Sequence, residues 1–278
     1  MIAPRNTPAP TRPRAEVDEI AAVVDAVRVA APLTQCLTNS VVTGFTANVL
    51  LAVGASPAMV DSLEEGPIFA DIADGLLINV GTVNAMTVDS MLATAAARED
   101  AGRTWCLDPV AVGALPVRTA LARDLLEHRP SVVRGNASEV LGLVGETGAG
   151  RGVDAGDDVD SALDVAAALA ARTGGAVAVS GEVDAVVATD TPTLRIANGH
   201  PIMTKVTGVG CALGAMVAAY LPVARTPHLA AAAATAALTV AADDAAYRAS
   251  GPGSFAVELL DALARVDAEA VAANLDLR

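Results

Sequence analysis

Short apolar runs rich in β-branched residues alternate with helical-period segments along most of the chain, and this alternation limits the architecture more than any other feature. The runs predict strands over 33–37, 56–60, 76–80, 104–107, 131–134 and 176–180. A hairpin-like pair over 185–189 and 193–197 follows, turned by Asp190, Thr191 and Pro192. Helices are expected over 16–30, 41–53, 83–98, 116–127, 137–144, 157–173, 209–220, 229–249 and 254–266. Strands that are apolar on both faces argue an α/β fold, with a mostly parallel central sheet flanked by helices on both faces. In such sheets ligands bind beyond the carboxyl ends of the strands, so the strand-to-helix junctions carry the functional signal.

Length and composition exclude several classes. The 278 residues suit one large α/β domain or two small ones, and no repeat or convincing boundary divides them. The first 14 residues form a Pro/Arg-rich leader without the apolar region of a signal peptide. The 18 Lys+Arg against 32 Asp+Glu leave a net charge of −14, and aromatics are only 2%. That balance argues against nucleic-acid binding, which needs basic surface or stacking platforms. The longest near-pure apolar stretch, 229–242, falls short of the ~20 residues a membrane span needs and reads as a buried helix. The three cysteines lack CxxC spacing and the three histidines are scattered, so no disulfide framework or zinc site is expected. A cytoplasmic location is the default expectation. Residues 145–158, rich in Gly and Asp, read as a surface loop, with a mobile substrate cover as the alternative.

The strongest local signal is TKVTGVGCALG over 204–214, in which Gly208 and Gly210 open an apolar helix. Such a turn presents unpaired backbone N–H groups and the positive end of a helix dipole, which suits a phosphoryl group in transfer. An ordinary tight helix start is the plain alternative. Lys205, the single lysine of the chain, stands just before the turn and could neutralise anionic charge there. Cys211 follows the second glycine, where a helix N-terminus is expected to lower its thiol pKa, so that it could accept or hold a hydroxyl proton. Asp108 ends a strand in CLDPVAVGA, and Arg134, Asn136 and Glu139 lie in SVVRGNASE at the next junction. Asn136 and Glu139 have capping-box spacing. The functional alternative has the carboxylates of Asp108 and Glu139 collecting Mg²⁺ through water, with Arg134 on a nucleotide phosphate. Ser180, in VSGEVD, could face a nucleotide or make a turn, and Asn39 could cap a helix. Asn39 and Met59 each lie near a strand end, and an amide with a soft thioether suits a small heteroaromatic ligand.

Taken in order, LTNSVVTGFTANVLLAVGASPAM, INVGT, LDPVAVGA, RGNASE, VSGEVD and KVTGVGCALG closely resemble the hydroxyethylthiazole kinase family of the ribokinase-like superfamily. The resemblance runs from about Ala15 to Asp267. It implies residues 15–278 as a single ribokinase-like kinase domain. It implies transfer of the ATP γ-phosphoryl group to the primary alcohol of 4-methyl-5-(2-hydroxyethyl)thiazole in thiamine salvage, with Mg²⁺. A homotrimer with sites at subunit interfaces is also implied. By motif position Met59 and Gly208 would contact the thiazole, with Asn39 in the same region, and Arg134 and Ser180 would contact ATP. Asp108 and Glu139 fall where acidic residues stand near Mg²⁺, and Cys211 where related kinases place a catalytic Asp. The rival readings are another ribokinase-like kinase acting on a vitamin or pyrimidine alcohol, a superfamily dehydratase of hydrated NAD(P)H, and a non-catalytic thiazole- or nucleotide-binding protein.

Overall fold

A computed structural model describes residues 14–145 and 158–278. Eight strands form one sheet: β1 (Leu33–Leu37), β2 (Ser56–Ala58), β3 (Gly75–Asn79), β4 (Cys106–Asp108), β5 (Val132–Asn136), β6 (Ala176–Ser180), β7 (Asp184–Ala188) and β8 (Thr191–Ile196). Their order is β2-β1-β3-β4-β5-β6-β7-β8. The first six are parallel, and the β7–β8 hairpin adds an antiparallel edge. The hairpin turns one step earlier than its composition suggests. Asp190 takes a left-handed φ of 57°, while Thr191 and Pro192 already belong to β8. Proline is tolerated there because it lies at the start of edge strand β8, before the bridge that Ile196 makes to Leu277 at the strand's other end.

The helices are α1 (Arg14–Ala30), α2 (Thr43–Ala52), α3 (Gly66–Ile72), α4 (Ala85–Asp100), α5 (Pro116–Leu126) and α6 (Ala137–Val144), then α7 (Leu163–Thr173), α8 (Val209–Tyr220), α9 (Pro227–Arg248), α10 (Pro252–Arg265) and α11 (Ala268–Asn274). The period-two alternation of each strand divides the core in two. Leu77 faces a cluster built with α1, α2, α8, α9 and α10, while its neighbours Leu76 and Ile78 face one built with α4 to α7. The sheet is thus covered on both faces, as its continuous apolar strands require.

Helix α9 is long and apolar enough to cross a membrane by length and composition, but most of it is buried inside the fold. Its alanines, Ala230 to Ala234 and Ala236 to Ala237, are fully buried and let α1, α8 and α10 pack closely around it. The Gly/Asp-rich segment read as a surface loop lies outside the described residues between Gly145 and Asp158, as do residues 1–13 of the leader.

Candidate active site

Six parallel strands end on one edge of the sheet, and each brings a candidate residue there. Asn39 follows β1 and Met59 follows β2, while Asn79, Asp108, Asn136 and Ser180 end β3, β4, β5 and β6. Helix α8 runs over this edge, against β1, β3 and β4. Its N-cap is Gly208, at φ 93°, a left-handed conformation that suits glycine and lets the chain turn sharply into the helix. A Cβ on Gly210 would lie 3.0 Å from Arg134 Nη1 and 3.2 Å from Nη2. The guanidinium is therefore packed directly beneath the first turn of α8.

Arg134 is the centre of the buried electrostatics. Its Nη2 donates to Ser180 Oγ at 2.9 Å, and its Nη1 lies 3.7 Å from Asp108 Oδ2. Burial opposes its charge, but the carboxylates of Asp108 and Glu139 outweigh that and hold it protonated. Asp108 is fully buried, and its Oδ2 accepts from Asn79 Nδ2 at 2.8 Å. Burial pushes its carboxyl up to about 7, against the pull of Arg134 and of the Asn79 hydrogen bond. Asp184 stands beside the same arginine. Its Oδ1 accepts from Gly181 N at 2.9 Å, and burial raises its carboxyl to about 6.

The expectation of an acidified Cys211 is overturned. Asn39 Nδ2 approaches its Sγ at 3.9 Å, and the thiol is half-buried. Burial, then the Asp108 carboxylate, push the thiol up to about 11, against the lowering contributions of Asn79, Arg134 and Asn39. The helix N-terminus is there, but burial of the thiol, with the Asp108 carboxylate beneath it as the second cause, reverses the shift.

Glu139 completes a capping box. Asn136 Oδ1 accepts from Glu139 N at 2.9 Å, and Glu139 Oε2 accepts from Asn136 N at 2.9 Å. Its other oxygen, Oε1, accepts from Ala111 N at 3.0 Å. Ala111 is one of the few non-glycine residues at positive φ, 59°. The Glu139 carboxylate thus ties the turn after Asp108 to the start of α6. No cluster of three or more Asp, Glu, His or Cys suited to a metal occurs among the described residues. Asp108 Oδ1, by contrast, is buried with no hydrogen-bond partner. One orphaned carboxylate oxygen fits Mg²⁺ that arrives on a nucleotide and keeps most of its waters, and does not fit an all-protein cage.

The structure therefore gathers Asn39, Asp108, Arg134, Glu139, Ser180, Gly208, Gly210 and Cys211 around the N-terminus of α8. Met59 stands at the same edge of the sheet, packed against the α8–α9 side of the core. Lys205 is exposed at the end of a 3-10 turn, Pro201–Lys205, and its side chain makes no hydrogen bond or ion pair among the described residues. Two buried residues escaped the sequence reading, Asn79 and Asp184. A polar residue closing the apolar run GLLIN was the available signal for Asn79.

Parallel strands ending under a glycine-opened helix, with an arginine–carboxylate pair beneath its first turn, give the architecture of the ribokinase-like fold. Pyridoxal kinase from Staphylococcus aureus shares that fold alone, at TM-score 0.56 and 15% identity over 76% of this chain and 87% of its own. The chain belongs to the hydroxyethylthiazole kinase family, whose model matches residues 24–269. It is 52% identical to the hydroxyethylthiazole kinase of Kineococcus radiotolerans over 99% of this chain and 97% of the relative. The hydroxyethylthiazole kinase of Clavibacter sepedonicus is 55% identical over 87% of each. The solved hydroxyethylthiazole kinase protein from Pyrococcus horikoshii superposes at TM-score 0.85 with 33% identity, covering 93% of this chain and 98% of its own.

Proposed function

We infer that this chain transfers the γ-phosphoryl group of ATP to the primary alcohol of 4-methyl-5-(2-hydroxyethyl)thiazole, a thiamine-salvage reaction. The observation that carries this reading is the stacking of the α8 first turn on the Arg134 guanidinium, with Cys211 on that turn and Asp108 below. The amides at the start of α8, from Gly208 to Cys211, face the transferring group and stabilise the negative charge that develops on it. Arg134 adds buried positive charge, and Ser180 orients that guanidinium while facing the nucleotide.

The transfer is in line and depends on positioning more than on covalent help. The alcohol oxygen forms a bond to the γ-phosphorus as the bond from phosphorus to the β,γ-bridging oxygen breaks, and ADP leaves. With its pKa near 11, Cys211 is a neutral thiol at pH 7 and orients the alcohol without deprotonating it. The alcohol proton leaves late, by way of a phosphoryl oxygen to solvent, which a loose transition state permits. Asn39 holds the Cys211 thiol, and Met59 and Gly208 bound the thiazole. Mg²⁺ on the nucleotide would be met through water by Asp108, with Glu139 behind it, and would offset charge on the β- and γ-phosphates. Residues 15–278 act as one catalytic domain. Exposed Leu51 on α2, with Ile68 and Ile72 on α3, supplies apolar surface of the kind a neighbouring subunit of a homotrimer would cover.

Coupled measurement of ADP release tests the reading. ADP should form from ATP and Mg²⁺ only when the thiazole alcohol is present, with pyridoxal and a hydroxymethylpyrimidine giving no more than background. Equal turnover without the thiazole, or preference for either comparator, would overturn it.

A further inference from the structure

We propose that Gln35 is a positioning residue for thiazole selectivity, fixing the segment that presents Met59; the proposal rests on the reading of Met59 as a thiazole contact. Gln35 sits in β1 with its side chain fully buried, on the otherwise apolar face that carries Leu37. Its Nε2 donates to two backbone carbonyls, Val60 O at 2.9 Å and Gly66 O at 3.0 Å. These acceptors close the two ends of the segment that leads from β2 into α3. The amide has one orientation only, because its NH₂ faces both carbonyls and turning it would set oxygen against oxygen.

The segment's own hydrogen bonds, Gly66 N to Ser62 O at 2.8 Å and Glu65 N to Ser62 Oγ at 3.1 Å, are local to its far end, so Gln35 is what ties it to the sheet beyond the β2 ladder. β2 is an edge strand that pairs over three residues, and the last pair is Ala58 with Gln35 itself. Met59 is the first residue past that ladder, and Val60, held by Gln35, is the next. At the far end Gly66 is seated against α4, where a Cβ would come 2.8 Å from Thr94 Oγ1 and 3.2 Å from Ser90 Oγ. One buried side chain thus spans from the ladder to the α3–α4 contact and sets where the backbone at Met59–Val60 lies. Gln35 is far in role from the phosphoryl chemistry: none of its hydrogen bonds reaches Arg134, Asp108 or Cys211. Its loss should therefore be felt by the thiazole and not by ATP.

Steady-state kinetics on the full chain decide this, with Gln35→Leu, the unbranched Gln35→Met and Met59→Ala measured alone and in combination. Both Gln35 variants should raise KM for the thiazole about tenfold, with KM for ATP and kcat at saturating thiazole within about twofold of wild type. In the Met59→Ala background the same changes should add less than about twofold, because the contact they position is already gone. A merely structural loss would lower the active fraction or shift both KM values together, and would overturn the proposal. So would an unchanged thiazole KM in whichever Gln35 variant folds, given that Met59→Ala raises it. If Met59→Ala itself leaves the thiazole KM unchanged, the reading of Met59 fails first and the proposal falls with it.

Discussion

A thiol at the head of a helix is ordinarily acidified, and Cys211 is driven the other way. The dipole of α8 and the guanidinium of Arg134 both favour a thiolate, but burial and the Asp108 carboxylate win and hold the group near 11. The position of Cys211 could be read from its spacing to Gly208 and Gly210, whereas its acidity could not. That property depends first on burial in the folded chain and then on Asp108, which is more than a hundred residues away in sequence and arrives from the end of β4. The same holds for Asn79, whose partner is also Asp108. Replacing Cys211 with Ala should lower kcat about tenfold while moving KM for the thiazole much less, as expected when an orienting contact is lost in the transition state. Its pH–rate profile between pH 6 and 9 should keep the wild-type shape, because a thiol near 11 does not titrate in that range. Loss of a limb in that profile would restore Cys211 as the base.

At the scale of elements, the sequence pattern was most legible where burial was deepest. The predicted bounds of β1, β6, α6 and α8 coincide with those observed, since clear junction residues bound each of them even where Thr34 and Gln35 interrupt β1 and Ser138 and Glu139 interrupt α6. Two short helices were not legible. α3 buries only Gly66 and Ala70, and α11 buries only Val271, too few positions to establish a period. The capping box of α6 was legible, but the second use of Glu139, on Ala111 N, was not, because it joins two separate junctions. The element that matters most for chemistry is the first turn of α8. There the absent side chain of Gly210 leaves space that the Arg134 guanidinium fills. Gly210→Ala keeps helical propensity but puts a methyl 3.0 Å from Nη1. Arg134 would have to shift by a few tenths of an ångström against the turn, straining its bond to Ser180. kcat/KM for ATP should fall by about 10²-fold, on the scale of a lost charge-stabilising contact, with the melting temperature little changed. A variant of near wild-type kcat/KM would remove the guanidinium from the site.

At the scale of the whole molecule the site opposes the stability of the fold that carries it. The chain has a net charge of −14, yet Asp108, Glu139 and Asp184 are buried at the active edge, and burial raises the carboxyl pKa of Asp108 and Asp184. Each has a folded-state pKa above its ordinary value of 3.8, about 7 for Asp108 and about 6 for Asp184. The folded protein therefore binds protons at these positions more tightly than the unfolded chain between pH 4 and pH 7. By linkage, stability falls as pH rises through that window and stays low above it. Asp108, with the larger shift, contributes more of the loss than Asp184. Asp244, depressed by Arg248 and Arg265, has the opposite sign, but its effect is confined to the acid end of the range. Self-repulsion of the acidic chain adds to the fall as pH rises. The melting temperature should accordingly drop between pH 5 and pH 8. Asp108→Asn, a neutral stand-in for the protonated acid, should flatten that dependence and melt higher than wild type at pH 8 while losing most phosphoryl-transfer activity. If the variant keeps the wild-type slope, or melts lower at pH 8, then the ionised Asp108 stabilises the fold through Arg134, and the opposition between site and stability at this position does not exist.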